Sequence, residues 1–65
     1  MNPKVIGKRL RQLRGKKSQA EVANSLEISR SALAMYEQGR RVPRDEIKLK
    51  IARYYETSVQ EIFFI

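Results

Sequence analysis

The chain has 65 residues, of which 14 are Lys or Arg and seven are Asp or Glu, so its formal net charge is +7. A domain usually takes about 100 to 150 residues, so we expect one small domain over residues 1–65. The absence of Cys and His excludes disulfides and thiol nucleophiles and removes the commonest zinc ligand and general base. The composition therefore predicts no metal site, no cofactor and no enzymatic activity.

Hydropathy and charge indicate where such a chain acts and what it binds. No apolar run approaches the roughly 18 residues of a membrane span, and the N-terminus lacks the hydrophobic stretch of a signal peptide. We therefore expect a cytoplasmic protein without a membrane partner. A pI near 10.3 suits nucleic acid or an acidic surface, because basic domains above pI of about 9 bind such partners.

Glycine and proline are scarce, at three and two, so long segments without a helix breaker predict an all-α fold. The first predicted helix starts near Asn2-Pro3 and ends at Gly15, since Pro suits the first helical position and Gly the end. Residues 1–17 contain seven basic residues and no acidic one. The expected apolar stripe of this helix consists of Ile6, Leu10 and Leu13.

The next two predicted helices are short. Ser18 and Glu21 form a capping-box pattern that starts the second helix, which ends near Leu26. The third helix covers residues 30–38, begins after Ser29 and is stopped by Gly39. The expected inward residues are Ala20, Ala23 and Leu26, flanked by Val22, in the second helix and Ala32, Leu33 and Tyr36 in the third.

A basic loop leads to a fourth predicted helix over about residues 44–56, with Ile47, Ile51 and Tyr54 on one stripe. A second capping-box pattern, Ser58 to Glu61, opens a short fifth helix. The three tyrosines lie on helical apolar stripes, so we expect them in or beside the core and not stacked on bases.

Helices two and three are joined by only two or three residues, which predicts a helix-turn-helix unit over about residues 18–38. In that unit the second helix enters the major groove and its N-terminal residues meet base edges. The third helix presents residues 30, 31, 34, 35 and 38 outward, with a small centre at Ala34 that suits a groove about 12 Å wide. The predicted base-reading residues among them are Arg30, Ser31, Ala34 and Met35. Alternatives remain open: an ordinary surface role for Arg30, packing of Met35 against the fold, a place in the capping box alone for Gln19, and a solvated face for the basic residues of the first helix.

Short motifs with characteristic order and spacing extend from Ile6 to Phe63. They are Ser-Gln-Ala-Glu-Val-Ala (18–23), Ser-Arg-Ser-Ala-Leu (29–33), Tyr-Glu-Gln-Gly-Arg-Arg-Val-Pro (36–43), Ile-Ala-Arg-Tyr-Tyr (51–55) and Ser-Val-Gln-Glu-Ile-Phe (58–63). Together they resemble the Cro/repressor-type, or XRE-like, helix-turn-helix family. The resemblance implies a compact five-helix, lambda-repressor-like fold and a homodimer bound to a palindromic operator in double-stranded DNA.

The resemblance also implies contacts with the DNA backbone and one ion pair. The backbone contacts would come from Arg14, Lys17, Ser18, Gln19, Ser29, Arg40 and Arg41. Glu37 would pair with Arg14. The segment between Arg14 and Ser18 is about two residues shorter than is usual in the family and lacks an apolar residue, so we expect a tighter turn there.

Dimerisation is expected because one recognition helix covers too few base pairs to find one site among about 10⁶ competitors. A two-fold dimer places a second helix in the next major groove on the same side. The predicted interface is the apolar C-terminal end, since consecutive apolar residues cannot all face inward from one helix. It comprises Ile62, Phe63, Phe64 and Ile65, with Tyr55 or Val59 adjoining.

The leading hypothesis is a sequence-specific DNA-binding transcriptional regulator, most similar to the small repressors of bacteria, phages and mobile elements, and nucleoid-associated. Repression is the expected outcome, and no small-molecule ligand is implied. The alternative is a protein-interaction module of antitoxin or anti-repressor type that uses the same fold, with residues 62–65 as its contact surface. An affinity for duplex DNA that falls steeply as the salt concentration rises favours the first hypothesis, and the absence of such an affinity favours the second.

Overall fold

The computed structural model describes residues 2–64, and over that range the chain consists of five α-helices and no strand. The helices are α1 (Pro3–Arg14), α2 (Gln19–Leu26), α3 (Arg30–Gln38), α4 (Asp45–Tyr54) and α5 (Val59–Phe63). The predicted all-α fold class is confirmed. Only α4 departs noticeably from its expected bounds, because it begins one residue later and ends two residues earlier.

Side-chain caps define the N-termini of four helices, whereas the N-terminus of α4 has no side-chain cap. The Asn2 side chain accepts hydrogen bonds from the backbone N–H groups of Lys4 and Val5 at the start of α1. The serine hydroxyls that precede α2, α3 and α5 each accept from the backbone N–H three residues further on, at 3.0 to 3.1 Å. Each cap satisfies a backbone donor that the helix itself leaves without a partner. At α5 the Glu61 carboxylate accepts from the Thr57 hydroxyl, at 2.9 Å.

The turn between α2 and α3 contains only residues 27–29. Glu27 adopts a left-handed conformation, with φ 58° and ψ 40°, which costs a non-glycine residue about 1–2 kcal/mol. The next residue, Ile28, donates its backbone N–H to the Ala23 carbonyl at 3.0 Å and packs its side chain against the core. This anchored turn sets the direction in which α3 leaves α2.

Helices α1 and α3 cross at very close range. A Cβ atom on Gly7 would overlap the Glu37 carbonyl and would lie 2.9 Å from the Tyr36 carbonyl oxygen. Since both obstacles are backbone atoms, no side chain can move aside to admit one. Gly7 therefore permits the backbone contact that holds α3 against α1.

The buried faces of α2 and α1 differ in part from those predicted from the sequence. Val22 is fully buried and Ala20 is exposed, so the expected inward position of Ala20 is wrong. The buried residues of α2 are Val22, Ala23 and Leu26, so the predicted inward positions of Ala23 and Leu26 are confirmed, and Val22 is buried in place of Ala20. Leu13 is 40% exposed, because the approach at Gly7 centres the buried face of α1 on residues 6, 7 and 10.

The C-terminal helix corrects the predicted dimer interface. Ile62 and Phe63 are only 2% and 1% exposed, so neither offers accessible surface to a partner. Both fit inward because α5 packs against α1 as well as α4, and Arg9 Nη1 donates to the Ile62 carbonyl at 2.9 Å. Phe64 is 52% exposed. Ile65 lies outside the described residues.

Candidate nucleic-acid interface

Helix α3 has a buried side and an outward polar side. Leu33, Tyr36 and Glu37 are buried, which directs the opposite side of the helix to solvent. That side carries the four predicted base-reading residues, of which Arg30, Ser31 and Met35 are exposed and Ala34 is half-buried. The only carboxylate of α3 is the buried Glu37, so the outward side of α3 presents no negative charge.

A shallow groove joins this side of α3 to the start of α2. Its volume is about 290 Å³, and its lining residues are Gln19, Arg30, Ser31, Ala34 and Gln38. The structure therefore brings together three of the four predicted base-reading residues and the predicted phosphate contact Gln19. Met35 lies on the same helix and is 41% exposed, but it does not line the groove.

The buried carboxylate of Glu37 connects three helices. It accepts two hydrogen bonds from the Arg14 guanidinium in α1, from Nε at 2.8 Å and from Nη2 at 3.0 Å. It also accepts one from Gln19 Nε2 at the start of α2, at 3.0 Å. The expected Arg14–Glu37 pair is confirmed, although the turn after α1 is short. Arg14 Nη1 also donates to the Lys17 carbonyl in that turn, at 2.8 Å. The hydrogen bonds to Glu37 raise the pKa of Arg14.

Tyr55 lies close enough to this ion pair for the charges of Glu37 and Arg14 to influence its pKa. Burial, followed by the Glu37 charge, raises the pKa of Tyr55 to about 12. Its hydroxyl is buried and has no hydrogen-bond partner within residues 2–64. Tyr55 is therefore neutral at physiological pH.

Two capping serines sit at helix N-termini beside the outward side of α3. The Ser18 and Ser29 oxygens each accept from one backbone N–H, at 3.0 Å. Each hydroxyl keeps its own proton to donate. Helix N-termini carry partial positive charge, so both hydroxyls suit contact with an anion.

The loop after α3 supplies exposed cations. Arg40 and Arg41 are exposed and make no ion pair with any residue between 2 and 64. Arg41 also lines a cleft of about 330 Å³ with Ala32 and Tyr36 of α3. The loop therefore places positive charge immediately beyond the outward side of α3.

Two of the predicted backbone contacts, Arg14 and Lys17, already make hydrogen bonds to other residues of the chain. The Arg14 guanidinium is held by Glu37, as described above. Lys17 Nζ donates to the Tyr54 hydroxyl at 3.1 Å and lies 5.1 Å from the centre of its ring, and this hydrogen bond raises the pKa of Lys17. Neither cation lines the groove between α2 and α3.

The sequence places Gln38 on the outward side of the third helix but not among the predicted base-reading residues, and it does not predict the burial of Glu37. Gln38 follows Ala34 by four residues and Ser31 by seven, and this spacing was sufficient to place it on the outward side of α3. Glu37 is 2% exposed, and only its implied pairing with Arg14 pointed inward. No periodicity argument places a glutamate in a core.

Two kinds of feature are absent from residues 2–64, the part of the chain that the structure describes. No helix there is long and apolar enough to cross a membrane. No group of three or more acidic, Cys or His side chains there is placed to hold a metal ion.

Three features define a helix-turn-helix protein: the short turn between α2 and α3, the angle that this turn fixes between the two helices, and the exposed polar side of α3. A family model of the helix-turn-helix domain matches residues 5–62, and the chain therefore belongs to that family. This match is consistent with the XRE-like resemblance of its motifs, and proteins of this DNA-binding family are typically not enzymes. Comparisons with curated proteins and with solved structures found no significant match.

Proposed function

We propose that this protein is a sequence-specific regulator of transcription that inserts α3 into the major groove of double-stranded DNA. The observation that carries the proposal is the groove beside α3, where Gln19, Arg30, Ser31 and Gln38 surround the small side chain of Ala34. Hydrogen-bonding side chains around a small apolar centre match the base edges of a major groove, which offer donors, acceptors and thymine methyl groups.

Each outward residue of α3 has a chemical counterpart in DNA. Arg30 is the first residue of α3, and an arginine there can donate two hydrogen bonds to guanine O6 and N7. Ser31 can donate to or accept from a neighbouring base. Ala34 and Met35 offer apolar contact to a thymine methyl group.

Phosphate contacts orient the protein on the duplex and carry no sequence information. In our proposal Ser18, Gln19 and Ser29 donate to the phosphates nearest the groove. Arg40 and Arg41 bind the backbone beyond α3. Arg14 and Lys17, also proposed at the backbone, retain unused N–H groups, and Arg14 additionally positions Gln19 through their shared partner Glu37.

We propose that the regulator acts as a homodimer on a palindromic operator. The apolar surface that supports this is a groove of about 340 Å³ between α4 and α5, lined by Leu49, Val59 and Phe64 together with Asp45 and Lys48. Leu49 and Phe64 are 49% and 52% exposed, and exposed apolar clusters mark interaction sites. Binding across a promoter would block polymerase, so repression is the outcome we propose.

The test compares Arg30→Ala with Arg53→Ala, a control on the exposed side of α4, on two duplexes. One duplex carries the site selected from a random pool, and the other is random. We expect Arg30→Ala to lose about 1–3 kcal/mol on the selected site and much less on random DNA, since that is the value of one bidentate base contact. Equal losses on both duplexes would make Arg30 a phosphate contact, and no loss on either would remove α3 from the interface.

A further inference from the structure

The net positive charge of the chain is concentrated in its first quarter. Residues 1–17 hold seven of the 14 basic residues and none of the seven acidic ones. Residues 18–65, which include all of α2 and α3, hold seven of each. The whole net charge of +7 therefore lies on α1 and the turn after it, a region that the helix-turn-helix unit does not include.

Three of these cations form a row on α1. Lys4, Lys8 and Arg11 are separated by four and three residues, which places them on one side of the helix. All three are exposed, and none makes an ion pair with another residue in the range 2–64. We call these three residues the α1 basic row.

The α1 basic row begins beside the end of α3. A Cβ atom on Gly39 would lie 2.9 Å from the Lys4 Cα atom and 3.0 Å from its Cγ atom. Gly39 ends α3 and directly precedes Arg40 and Arg41. The row is therefore continuous with the exposed loop cations. The other side of α1 turns towards α5, as the hydrogen bond from Arg9 to the Ile62 carbonyl shows.

The α1 basic row does not stabilise the isolated protein. Like charges three or four residues apart repel each other along a helix. Lys4 also sits in the first turn of α1, where no acidic residue offsets the positive end of the helix. An arrangement that opposes folding and leaves its charges unpaired indicates an anionic partner outside the chain.

We propose that the α1 basic row is a second DNA-backbone site, which binds phosphates of the strand that passes the C-terminal end of α3. This inference rests on the proposed function and extends it, because it assigns much of the non-specific affinity to a helix outside the helix-turn-helix unit. Evenly spaced cations on long side chains suit a phosphate backbone, which carries one negative charge per roughly 1.7 Å of duplex axis. The row carries no information about sequence.

The chain offers a matched pair of variants for the test. Lys8→Gln/Arg11→Gln removes from the α1 basic row one Lys and one Arg that are three residues apart. Lys50→Gln/Arg53→Gln removes the same residue types at the same spacing from α4, where Lys50 and Arg53 line a cleft with the end of α2. Both variants change the net charge equally, and Lys50→Gln also removes an exposed ion pair with Glu27. A difference in DNA binding between variants of equal thermal stability therefore reports the position of the charge. Thermal unfolding of each variant, followed by circular dichroism, verifies that it folds.

Binding to the selected and the random duplex is measured by fluorescence anisotropy between 50 and 300 mM salt. For the α1 variant we expect the slope of log K against log salt to flatten by about 1.8, since each lost phosphate contact removes about 0.9. We also expect at least a tenfold loss of affinity at 0.1 M salt, about equal on both duplexes, without loss of thermal stability. The α4 variant is expected to change the slope by less than about 0.5.

Three outcomes would overturn the inference: an unchanged slope for the α1 variant, an equal change for the α4 variant, or a loss confined to the selected duplex. If the double variant does not fold, Lys4→Gln/Lys8→Gln is measured in the same way with the same expectations. Failure of the proposed function looks different, because wild-type protein would then show no preference for the selected duplex. A selective wild type with an unaffected α1 variant refutes the inference alone.

Discussion

The buried carboxylate of Glu37 predicts an unequal response to loss of either partner in its ion pair. Arg14→Met removes the guanidinium and leaves Glu37, with a side chain only 1% exposed, to the single remaining donor Gln19. Glu37→Gln instead leaves the Arg14 side chain, which is 20% exposed and can be hydrated. The glutamine also keeps an oxygen that can accept from either neighbour. The two substitutions remove the same ion pair but leave very different charges behind.

The structure sets the size of each effect. Stranding a buried charge costs about 3–5 kcal/mol, and we expect about 3 kcal/mol for Arg14→Met because Gln19 still donates to the Glu37 carboxylate. For Glu37→Gln we expect about 1–2 kcal/mol, close to the loss of one or two charge-assisted hydrogen bonds. A domain of this size has a free energy of unfolding of roughly 3–10 kcal/mol, so Arg14→Met alone removes a large fraction of the stability.

Urea denaturation followed by circular dichroism at 222 nm measures both variants and the double variant. In the double variant neither charge of the Arg14–Glu37 pair remains, so we expect it to be more stable than Arg14→Met. Favourable coupling of at least 1 kcal/mol in this double-mutant cycle would identify the ion pair as the source of the effect. Equal losses in the two single variants, or a loss below 1 kcal/mol for Arg14→Met, would refute the reasoning.

Three further predictions concern packing, a buried hydroxyl and the dimer. Gly7→Ala should lower the free energy of unfolding by about 2 kcal/mol or more, because its Cβ overlaps the Glu37 carbonyl; a neutral result in urea denaturation would contradict the close helix crossing. Tyr55→Phe should raise the stability by about 1 kcal/mol, because the hydroxyl it removes lacks a partner among residues 2–64, whereas Tyr54→Phe should not. The wild-type protein should lose stability as the pH rises from 10 to 12. Over that range folded Tyr55, whose pKa is about 12, keeps a proton that the unfolded chain releases. Tyr55→Phe should lose less stability over the same range. Phe64→Asp should sediment as a monomer and bind a palindrome weakly but a half-site normally; a dimeric variant would move the interface elsewhere.

The helix boundaries could be predicted from the sequence because capping is a local interaction. Ser18, Ser29 and Ser58 each cap the helix that follows, and the Ser-x-x-Glu patterns at α2 and α5 mark two of these sites. Gly39 ends α3 in a left-handed conformation that glycine adopts without strain. The outward side of α3 could also be predicted, since helical periodicity separates residues 33 and 36 from residues 31 and 35.

The facts that depend on which neighbour covers a helix could not be predicted. Periodicity alone could not show that α5 would bury both Ile62 and Phe63, because this requires α1 and α4 on two sides of a five-residue helix. The same limit applies to Leu13, whose exposure follows from the close approach at Gly7. Likewise, no local pattern shows that Lys17 would contact Tyr54, 37 residues further along the chain.

Selection of the preferred duplex from a random DNA pool, with wild type and Arg30→Ala in parallel, tests the central claim most directly. If α3 reads bases from the major groove, wild type should enrich one palindromic sequence whose half-sites lie about one helical turn, roughly 34 Å, apart. Arg30→Ala should lose its preference at one guanine in each half-site and keep the remaining bases. Recovery of no common sequence by wild type, or of an identical sequence by both proteins, would contradict the account.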